Sequence, residues 1–374
     1  MTNEITAGFF ENMPESEYTI IDIRDKSAFE YGHIGNAINI PYKDILSAEL
    51  PHDKKLIICC RNGIISRDIA DNLCEKGFNA YNLADGYIGW LRNKMTDRQI
   101  TEDVEKSLRK KFKKSIWCKF TKAINEYKLV NPDDKIAVCI SGGKDSMLMA
   151  KLFQELKRHD KFPFEVVFLA MNPGYSPENL EIIKNNARSM SIPIHIFESD
   201  IFESVFNIEK NPCYICARMR RGYLYNKAKE LGCNKIALGH HFDDVIETIL
   251  MGMLYGGQVQ TMMPKLHSTN FDGMELIRPL YLVREADIKH WRDYNDLHFI
   301  QCACRFTENC TTCEPDGRSA SKRLEIKNLI AELKKINPQV EKNIFRSVEN
   351  VNLNTIIAYK NNTGVHNFLD EYDT

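Results

Sequence analysis

The clearest chemistry in this chain lies in a hexapeptide that follows an apolar run. Its residues are Ser141, Gly142, Gly143, Lys144, Asp145 and Ser146. The apolar run Ile136–Ile140 predicts a buried strand, and the next helix is expected to begin at Asp145 or Ser146. Glycines let backbone N–H groups turn toward a phosphate, while the helix N-terminus and Lys144 supply positive charge. This hexapeptide, the glycine loop, therefore predicts a phosphate-binding site, with an ordinary glycine-rich turn as the alternative.

A second group of polar residues also follows a predicted strand. Gly239, His240 and Asp243 lie where the strand Lys235–Gly239 gives way to the helix Asp243–Met253. Ligand sites of parallel sheets lie at the carboxyl ends of the strands, so these residues are expected in the same crevice as the glycine loop. Taken alone, Asp243 could equally cap its helix.

Cysteines supply a third group of reactive side chains. Cys213 and Cys216 have Cys-x-x-Cys spacing at a predicted helix start, which suits iron, zinc or a redox dithiol without choosing among them. The twelve cysteines of the chain stand mostly in close pairs. In a reducing compartment such pairs indicate metal ligation or sulfur chemistry rather than a disulfide framework.

Cys60 lies in a loop between a predicted strand and a predicted helix. In such a loop successive N–H groups can converge on the first side chain, and this environment favours a thiolate or a charged persulfide. Arg61 and Arg67 are expected to add positive charge nearby. Cys60 is thus placed to accept, hold and pass on a sulfane sulfur. The alternative is a small buried hydrophobic residue, which is the interpretation we give to Cys59.

Alternating strands and helices must position these groups. The strands predicted before residue 96 are Tyr18–Asp22, Ala37–Ile40, Lys55–Cys59 and Ala80–Leu83, and Ile65–Lys76 is predicted to be helical. The strands predicted later are Ile136–Ile140, Glu165–Ala170, Pro193–Phe197 and Lys235–Gly239. Longer crossover helices separate these later strands, which predicts a parallel sheet. The fold class is therefore α/β.

The same pattern predicts the domain organisation. A small α/β domain covers residues 1–96, a basic helical linker 97–134, a parallel-sheet domain with C-terminal helices 135–360, and a polar tail 361–374. The linker is expected to hold one long helix ending near Lys128. The terminal helices are predicted at Ser319–Ile336 and Gln339–Val351, and the last twenty residues are expected to be irregular.

Composition narrows the class of protein. The chain of 374 residues is 43% hydrophobic and 27% charged, which is ordinary for a globular protein. No apolar stretch approaches transmembrane length and no basic, apolar signal region opens the chain, so a cytoplasmic protein without membrane contact is expected. The net charge of −1 is weak evidence for nucleic-acid binding. Between Lys106 and Lys122, however, stand eight basic residues and no acids, which fits either RNA contact or a solvated helix face.

Residues 5–95 resemble a single rhodanese domain. The matching segments are Ile21–Arg24, Gly32–Pro41, the loop that begins at Cys60, and Gly86–Trp90. In that family the loop cysteine carries the persulfide. The resemblance therefore implies that Cys60 is a catalytic sulfur carrier.

Residues 103–360 resemble the tRNA 2-thiocytidine synthetases, PP-loop ATP pyrophosphatases that replace the 2-oxo group of cytidine with sulfur. The matching segments are the glycine loop, Pro212–Arg218, Gly239–Asp244, Met263–Leu266, Arg278–Leu280 and the Lys322–Val351 pattern. The resemblance implies that ATP and Mg²⁺ bind at the glycine loop with Gly239, His240 and Asp243, and that Asp145 is catalytic. It also implies a 4Fe-4S cluster held by Cys213, Cys216 and Cys302, with one iron open to carry sulfur.

The third cluster ligand departs from the family pattern. Family members usually have Pro-Cys-x-x-Cys late in the chain, whereas this sequence has Gln301-Cys302-Ala303-Cys304. Cys302 is the matching position, and Cys304 stays open as an alternative. Four late cysteines could instead form a tetrahedral zinc site; they are Cys302, Cys304, Cys310 and Cys313.

Together the two resemblances imply ATP-dependent thiolation of tRNA cytidine, with adenylation of the substrate and a cluster-bound sulfur recharged by the Cys60 persulfide. The expected partners are tRNA and a sulfur donor (a cysteine desulfurase persulfide, thiosulfate or sulfide), and a homodimer is left open. Two alternatives stay open as well. One is thiolation of a uridine or a small metabolite by the same chemistry, and the other is a non-catalytic, nucleotide-binding sensor of sulfane sulfur.

Overall fold

A computed structural model of the chain describes residues 3–7, 13–95, 101–199, 201, 212–300 and 322–372. Its backbone contacts divide the chain into two compact units. The first unit comprises Met1–Gly239 and Pro264–Asn309, and the second comprises His240–Met263 and Cys310–Thr374. In the described parts of the chain, none of the helices combines the length and the apolarity needed to cross a bilayer.

The N-terminal part of the first unit is built on a five-stranded parallel sheet with the order β1-β5-β4-β2-β3. Its strands are β1 (Glu4–Ile5), β2 (Tyr18–Asp22), β3 (Ile38–Asn39), β4 (Lys55–Cys59) and β5 (Ala80–Leu83). Its helices are α1 (Lys26–Tyr31), α2 (Ile64–Glu75) and α3 (Gly86–Met95). The predicted bounds of β2, β4 and β5 are confirmed, whereas β3 is shorter than predicted.

The alternation of side chains along β4 decides which cysteine faces the loop. Ile57 and Cys59 join one apolar cluster, which includes Leu83 and Leu91. Ile58 and Cys60 join the cluster on the opposite face, beneath helix α2. The strand period of two therefore places Cys60 against the start of α2 and buries Cys59 on the other face, as predicted for Cys59.

The rest of the first unit is built on a six-stranded sheet with the order β10-β11-β9-β6-β7-β8. Its strands are β6 (Lys135–Ile140), β7 (Glu165–Asn172), β8 (Ile194–Glu198), β9 (Lys235–Ala237), β10 (Lys265–His267) and β11 (Glu275–Ile277). The pairs between β6, β7, β8, β9 and β11 are parallel, and β10 runs antiparallel to β11 at one edge. The expected α/β fold is thus confirmed, with an additional antiparallel edge strand.

Helices precede, connect and follow these strands along the chain. They are α4 (Thr101–Arg109), α5 (Cys118–Glu126), α6 (Lys144–Arg158), α7 (Pro177–Ser189), α8 (Pro212–Glu230) and α10 (Glu285–Tyr294). Helix α8 begins at Pro212, so that Cys213 and Cys216 lie within its first two turns, in agreement with the predicted helix start. Helix α6 begins at Lys144, slightly earlier than predicted, with Gly143 as its N-cap.

The prediction of one continuous basic helix ending near Lys128 is wrong. Helix α4 ends at Arg109, a π-helical stretch spans Lys113–Trp117, and α5 follows. Phe112, Ile116 and Phe120 recur every fourth residue, and all three are fully buried. Residues four apart also lie on one face of an α-helix, so this spacing accounts for the buried side of the segment and not for its π-helical turn.

The second unit contains three α-helices, two short 3₁₀ helices (Leu353–Thr355 and Phe368–Glu371) and a hairpin among its described residues. The α-helices and strands are α9 (Phe242–Gly256), α11 (Lys322–Ile336), α12 (Val340–Ser347), β12 (Ala358–Asn361) and β13 (Gly364–Asn367). The rings of Phe242 and Phe345 stack with centroids 4.8 Å apart and join α9 to α12. The expectation of irregular structure in the last twenty residues is wrong, because β12 and β13 pair antiparallel around a turn stabilised by the Asn361 side chain.

Candidate functional site

The glycine loop connects the buried strand β6 to helix α6. Gly142 has φ +84°, and a Cβ atom there would lie 2.5 Å from the side chain of Ile183. Both the backbone conformation and the available space therefore require glycine at this position. The helix start leaves the first N–H groups of α6 without partners inside the helix, as an anion-binding loop needs.

The two serines of the loop hold its shape. The Ser146 hydroxyl accepts a hydrogen bond from the backbone N–H of Ser141 at 3.1 Å and donates to the Gly143 carbonyl at 3.0 Å. The two hydroxyl oxygens lie 3.1 Å apart. Ser146 is buried and Ser141 is exposed. Only Ser141 is thus placed to offer its side chain to a ligand, while Ser146 keeps the loop closed on itself.

Lys144 is the charged centre of the loop. Its side chain is 4% exposed, and Nζ lies 3.1 Å from Asp145 Oδ2 and 3.3 Å from Glu285 Oε1. Burial alone would lower the pKa of Lys144, but the neighbouring Asp145, Tyr31 and Glu285 raise it overall. The lysine is therefore a cation held between two carboxylates, ready to exchange them for another anion.

The sequence prediction missed Glu285 and Tyr31, two side chains that contact the glycine loop. Glu285 opens helix α10, and Tyr31 ends helix α1, where its hydroxyl lies 3.4 Å from the backbone nitrogen of Lys144. Both residues are far from the loop in the sequence, and no spacing pattern links them to it. Only the packing of the folded chain brings them there.

Gly239 is the one member of the second predicted group that lies in the first unit. A Cβ atom at Gly239 would lie 3.3 Å from the backbone of Asp145 and of Ser146. The end of this strand therefore packs against the first turn of α6, as predicted. The absence of a side chain at Gly239 is what permits this close approach.

His240 and Asp243 lie in the second unit, at the start of helix α9. The helix cap is His241, whose side chain accepts from the Asp244 backbone N–H, while the Asp244 carboxylate accepts from the His241 N–H. The interpretation of Asp243 as the cap is thus wrong. Burial would raise the pKa of Asp244, but His241 and Arg323 hold it below its ordinary value. Arg323 lies 3.3 Å from Asp244 Oδ1.

Cys60 is buried against the start of helix α2. Its Sγ atom accepts hydrogen bonds from the Ser66 backbone N–H at 3.4 Å and from the Ser66 hydroxyl at 3.1 Å. Gly63 adopts φ +81° as the N-cap of α2, and a Cβ atom there would lie 2.8 Å from the backbone of Asp85. The loop therefore aims a helix N-terminus and two donors at the sulfur, an arrangement that stabilises negative charge.

A polar chain continues from Ser66 to the surface. The Ser66 hydroxyl also lies 2.7 Å from Asn82 Oδ1, and its single proton is donated either to that oxygen or to Cys60 Sγ, of which a charged sulfur is the stronger acceptor. The Asn82 amide donates to Glu4 at 3.2 Å. Hydrogen bonds from Arg67 and Asn82 hold the pKa of Glu4 below its ordinary value. Because Arg67 is ion-paired with Glu4, it supplies less free positive charge to Cys60 than predicted. A cavity of about 410 Å³ lies beside this series of hydrogen-bonded side chains.

The predicted cluster ligands are only partly within the described residues. Positions 213 and 216 are three residues apart in α8, so they fall on the same side of that helix. Cys302, Cys304, Cys310 and Cys313 lie outside the described residues. Within the described ranges, no group of three or more His, Cys, Asp and Glu side chains could hold a metal ion. The ligand set stays a prediction.

The basic run is mostly exposed. Its exposed lysines are Lys106, Lys110, Lys111, Lys113, Lys114, Lys119 and Lys122. Arg109 is different, because its guanidinium bonds Glu155 at 2.8 Å and Glu105 at 3.2 Å. Burial would raise the pKa of Glu105, but hydrogen bonds from Arg158 and Lys151 lower it to about 2. Arg109 thus belongs to a structural ion-pair network rather than to a free basic surface.

Comparisons with known proteins match both halves of the chain. The PP-loop domain family matches residues 112–305, and the Rhodanese-like domain family matches residues 6–93. A tRNA-cytidine(32) 2-sulfurtransferase of Neisseria meningitidis is 40% identical over 186 residues, which cover 48% of this chain and 57% of that protein. This chain therefore spans little more than half the length of that relative.

Two further proteins are similar over more of their length. A tRNA-cytidine(32) 2-sulfurtransferase of Geobacter sulfurreducens is 33% identical over 234 residues, which cover 62% of this chain and 87% of that protein. Among solved structures, the U34-tRNA thiolase NcsA from Methanococcus maripaludis, with its 4Fe-4S cluster, is 22% identical with a TM-score of 0.49. That similarity covers 62% of this chain and 76% of NcsA.

Proposed function

Because this chain belongs to the PP-loop family that contains the tRNA-cytidine(32) 2-sulfurtransferases, we propose that it uses ATP to replace the 2-oxo group of a tRNA cytidine with sulfur. The sulfur comes from Cys60 of its own rhodanese-like domain. The observation that carries this proposal is the glycine loop, which places a buried Lys144 and a helix N-terminus at the end of a central strand. The same chain holds a cysteine whose sulfur faces hydrogen-bond donors.

ATP binding uses the glycine loop. The pyrophosphate part of ATP accepts hydrogen bonds from the first N–H groups of α6, and Lys144 exchanges its carboxylate partners for phosphate oxygens. Once its ion pair with Lys144 is broken, the Asp145 carboxylate is available to Mg²⁺, which prefers carboxylate and phosphate oxygens. His240 and Asp243 are the further nucleotide contacts that we propose from the second predicted group.

Adenylation solves the problem of the leaving group. The oxygen on carbon 2 of a pyrimidine is a poor leaving group, so it first attacks the α-phosphate of ATP and releases pyrophosphate. Positive charge from Lys144 and Mg²⁺ stabilises the charge that develops on the phosphates. The sulfane sulfur of the persulfide is first reduced by two electrons, which a thiol reductant supplies as it becomes a disulfide. The resulting sulfide-level sulfur attacks carbon 2 and displaces AMP, which completes the exchange of oxygen for sulfur.

Cys60 supplies the sulfur as a persulfide. Its thiolate accepts a sulfane sulfur from a donor, and the Ser66 N–H and hydroxyl stabilise the anion. Passing the terminal sulfur to an acceptor thiolate regenerates the Cys60 thiolate. Because the sulfur carrier is part of the same chain, its effective concentration at the PP-loop domain exceeds that of a free carrier.

We propose Cys213, Cys216 and Cys302 as the ligands of a 4Fe-4S cluster. Two of these positions are one helical turn apart in α8, and cysteine thiolates are the ligands that such clusters take. When bound, the cluster would supply an iron at which the sulfur destined for carbon 2 could be held.

The proposed tRNA contacts are the exposed lysines of the basic run, which can neutralise backbone phosphates.

The direct test is mass spectrometry of tRNA nucleosides from a strain that lacks this chain. We expect 2-thiocytidine to be absent, to return with the wild-type chain, and to stay absent with Asp145→Ala. Loss of a thiouridine instead would move the substrate to another base. Unchanged nucleosides would favour a small-molecule substrate or a sensor.

A further inference from the structure

Tyr31 of the rhodanese-like domain reaches into the glycine loop of the PP-loop domain. Its hydroxyl accepts a hydrogen bond from the backbone N–H of Lys144 at 3.4 Å and donates one to the Ile300 carbonyl at 3.1 Å. The Lys144 ammonium lies 5.4 Å from the centre of the Tyr31 ring. A Cβ atom at Gly143 would lie 3.3 Å from the Tyr31 hydroxyl oxygen. The phenol therefore fills space directly beside two residues of the loop.

The hydrogen-bond roles of this hydroxyl decide what it can do there. A phenol hydroxyl has one proton, which Tyr31 donates in a hydrogen bond to the Ile300 carbonyl. The hydroxyl oxygen then accepts the N–H of Lys144, the first residue of α6. A phosphate oxygen bound at this helix start would need that same N–H. Both the phenol oxygen and a phosphate oxygen are acceptors, so sharing the Lys144 N–H would weaken the hydrogen bond to each of them.

We propose that Tyr31 is a built-in competitor of the pyrophosphate part of ATP, so that ATP binding and the docked phenol exclude each other. This inference rests on the proposed function, in which the glycine loop binds ATP. The competition has a reciprocal side: if Tyr31 weakens ATP binding, ATP must weaken the contact of Tyr31 with the loop by the same factor. The sulfur-carrying domain is thereby coupled to the state of the nucleotide site.

Other contacts hold the carrier domain in place independently of the hydroxyl. The Arg292 guanidinium donates to the backbone carbonyl of Tyr31, and the rings of Trp90 and His298 meet edge to face at 4.9 Å. Burial raises the pKa of Tyr31, partly offset by the charge of Lys144, so the phenol is neutral at physiological pH. Tyr31→Phe therefore removes the competing oxygen while keeping the ring and these surrounding contacts.

The test is equilibrium binding of three ligands to the full chain by calorimetry: MgATP, Mg-pyrophosphate and AMP. For Tyr31→Phe we expect a Kd about threefold to tenfold lower than wild type for ATP and for pyrophosphate, the size of effect of one hydrogen bond. AMP lacks the pyrophosphate, so its Kd should not change. The matched control is Tyr42→Phe, which removes an exposed phenol from the same domain and should bind all three ligands like wild type.

Several results would overturn the inference, and they differ from failure of the proposed function. An unchanged Kd for ATP in Tyr31→Phe would show that the phenol does not compete. A higher Kd would make Tyr31 a contact of the bound phosphates instead. An equal decrease in the Kd for AMP would show that Tyr31 does not compete specifically with the pyrophosphate part of ATP. If neither the wild type nor any variant binds ATP, the nucleotide site itself is refuted, and the competition with it.

Discussion

Replacing Ser66 by alanine should slow sulfur transfer by Cys60. The Ser66 hydroxyl lies 3.1 Å from Cys60 Sγ, and its removal leaves the backbone N–H at 3.4 Å as the remaining donor from this residue. A hydrogen bond to a charged group contributes about 1.5–3 kcal/mol. At about 1.4 kcal/mol for each factor of ten, its loss corresponds to a rate reduced roughly 10-fold to 150-fold.

The assay is the rate of sulfur transfer from thiosulfate to cyanide, measured for the full chain at fixed pH. The matched control is Ser47→Ala in the same domain, where an exposed hydroxyl donates only to the Asp44 carbonyl at 3.0 Å. Ser66 also bonds the buried Asn82, so we expect its variant to lose about 1–3 kcal/mol of unfolding free energy. The rates must therefore be measured well below the temperature at which the variant unfolds.

The outcome that refutes this reasoning is a folded Ser66→Ala protein that transfers sulfur at the wild-type rate. In that case the hydroxyl does not stabilise the charge on Cys60, and the helix N-terminus and backbone donors suffice. A slow Ser47→Ala control would equally undermine the argument, since it would trace the loss to general destabilisation of the domain.

Three further predictions concern the rest of the chain. Asp145→Ala should abolish AMP formation while the protein stays folded, which a coupled AMP assay and circular dichroism would check. Cys213→Ala should lose iron from anaerobically purified protein, and iron analysis after separate replacement of Cys302 should show the same loss. Glu105→Gln should destabilise the fold by about 3 kcal/mol, because it leaves the buried Lys151 ammonium without its carboxylate. In the folded protein the pKa of Glu105 is about 2, below its ordinary value of 4.5. Denaturant titrations should therefore find the full loss of unfolding free energy above pH 4.5 and a smaller loss as pH falls toward 2.

Local patterns in the sequence predicted a large part of the fold. The strands Tyr18–Asp22, Lys55–Cys59 and Ala80–Leu83 follow from short apolar runs between turn residues, and the structure has the same bounds. The glycine loop followed from a strand, two glycines and a helix, all within a short segment. These features depend on neighbouring residues, so their signal lies in the sequence itself.

Other features depend on packing between distant residues. Glu285 and Tyr31 meet Lys144 only in the folded chain, and no spacing relates them to it. The π-helical stretch Lys113–Trp117 looks like part of an ordinary basic helix, because the spacing of its apolar residues fits α-helical turns equally well. The hairpin beginning at Ala358 was missed because its strands are short and polar, without the apolar alternation that indicates a strand.

The central claim is that sulfur held on Cys60 reaches a tRNA cytidine in an ATP-dependent reaction. It is tested most directly by loading the chain with thiosulfate labelled with ³⁴S in the sulfane position and removing the donor. Unmodified tRNA, MgATP and dithiothreitol as reductant are then added without air. Mass spectrometry of the digested tRNA should find ³⁴S in 2-thiocytidine, and the label should be absent with Cys60→Ser, with Asp145→Ala or without ATP. Labelled 2-thiocytidine formed at the wild-type rate by Cys60→Ser, or label that never leaves Cys60 in the wild type, would contradict the claim.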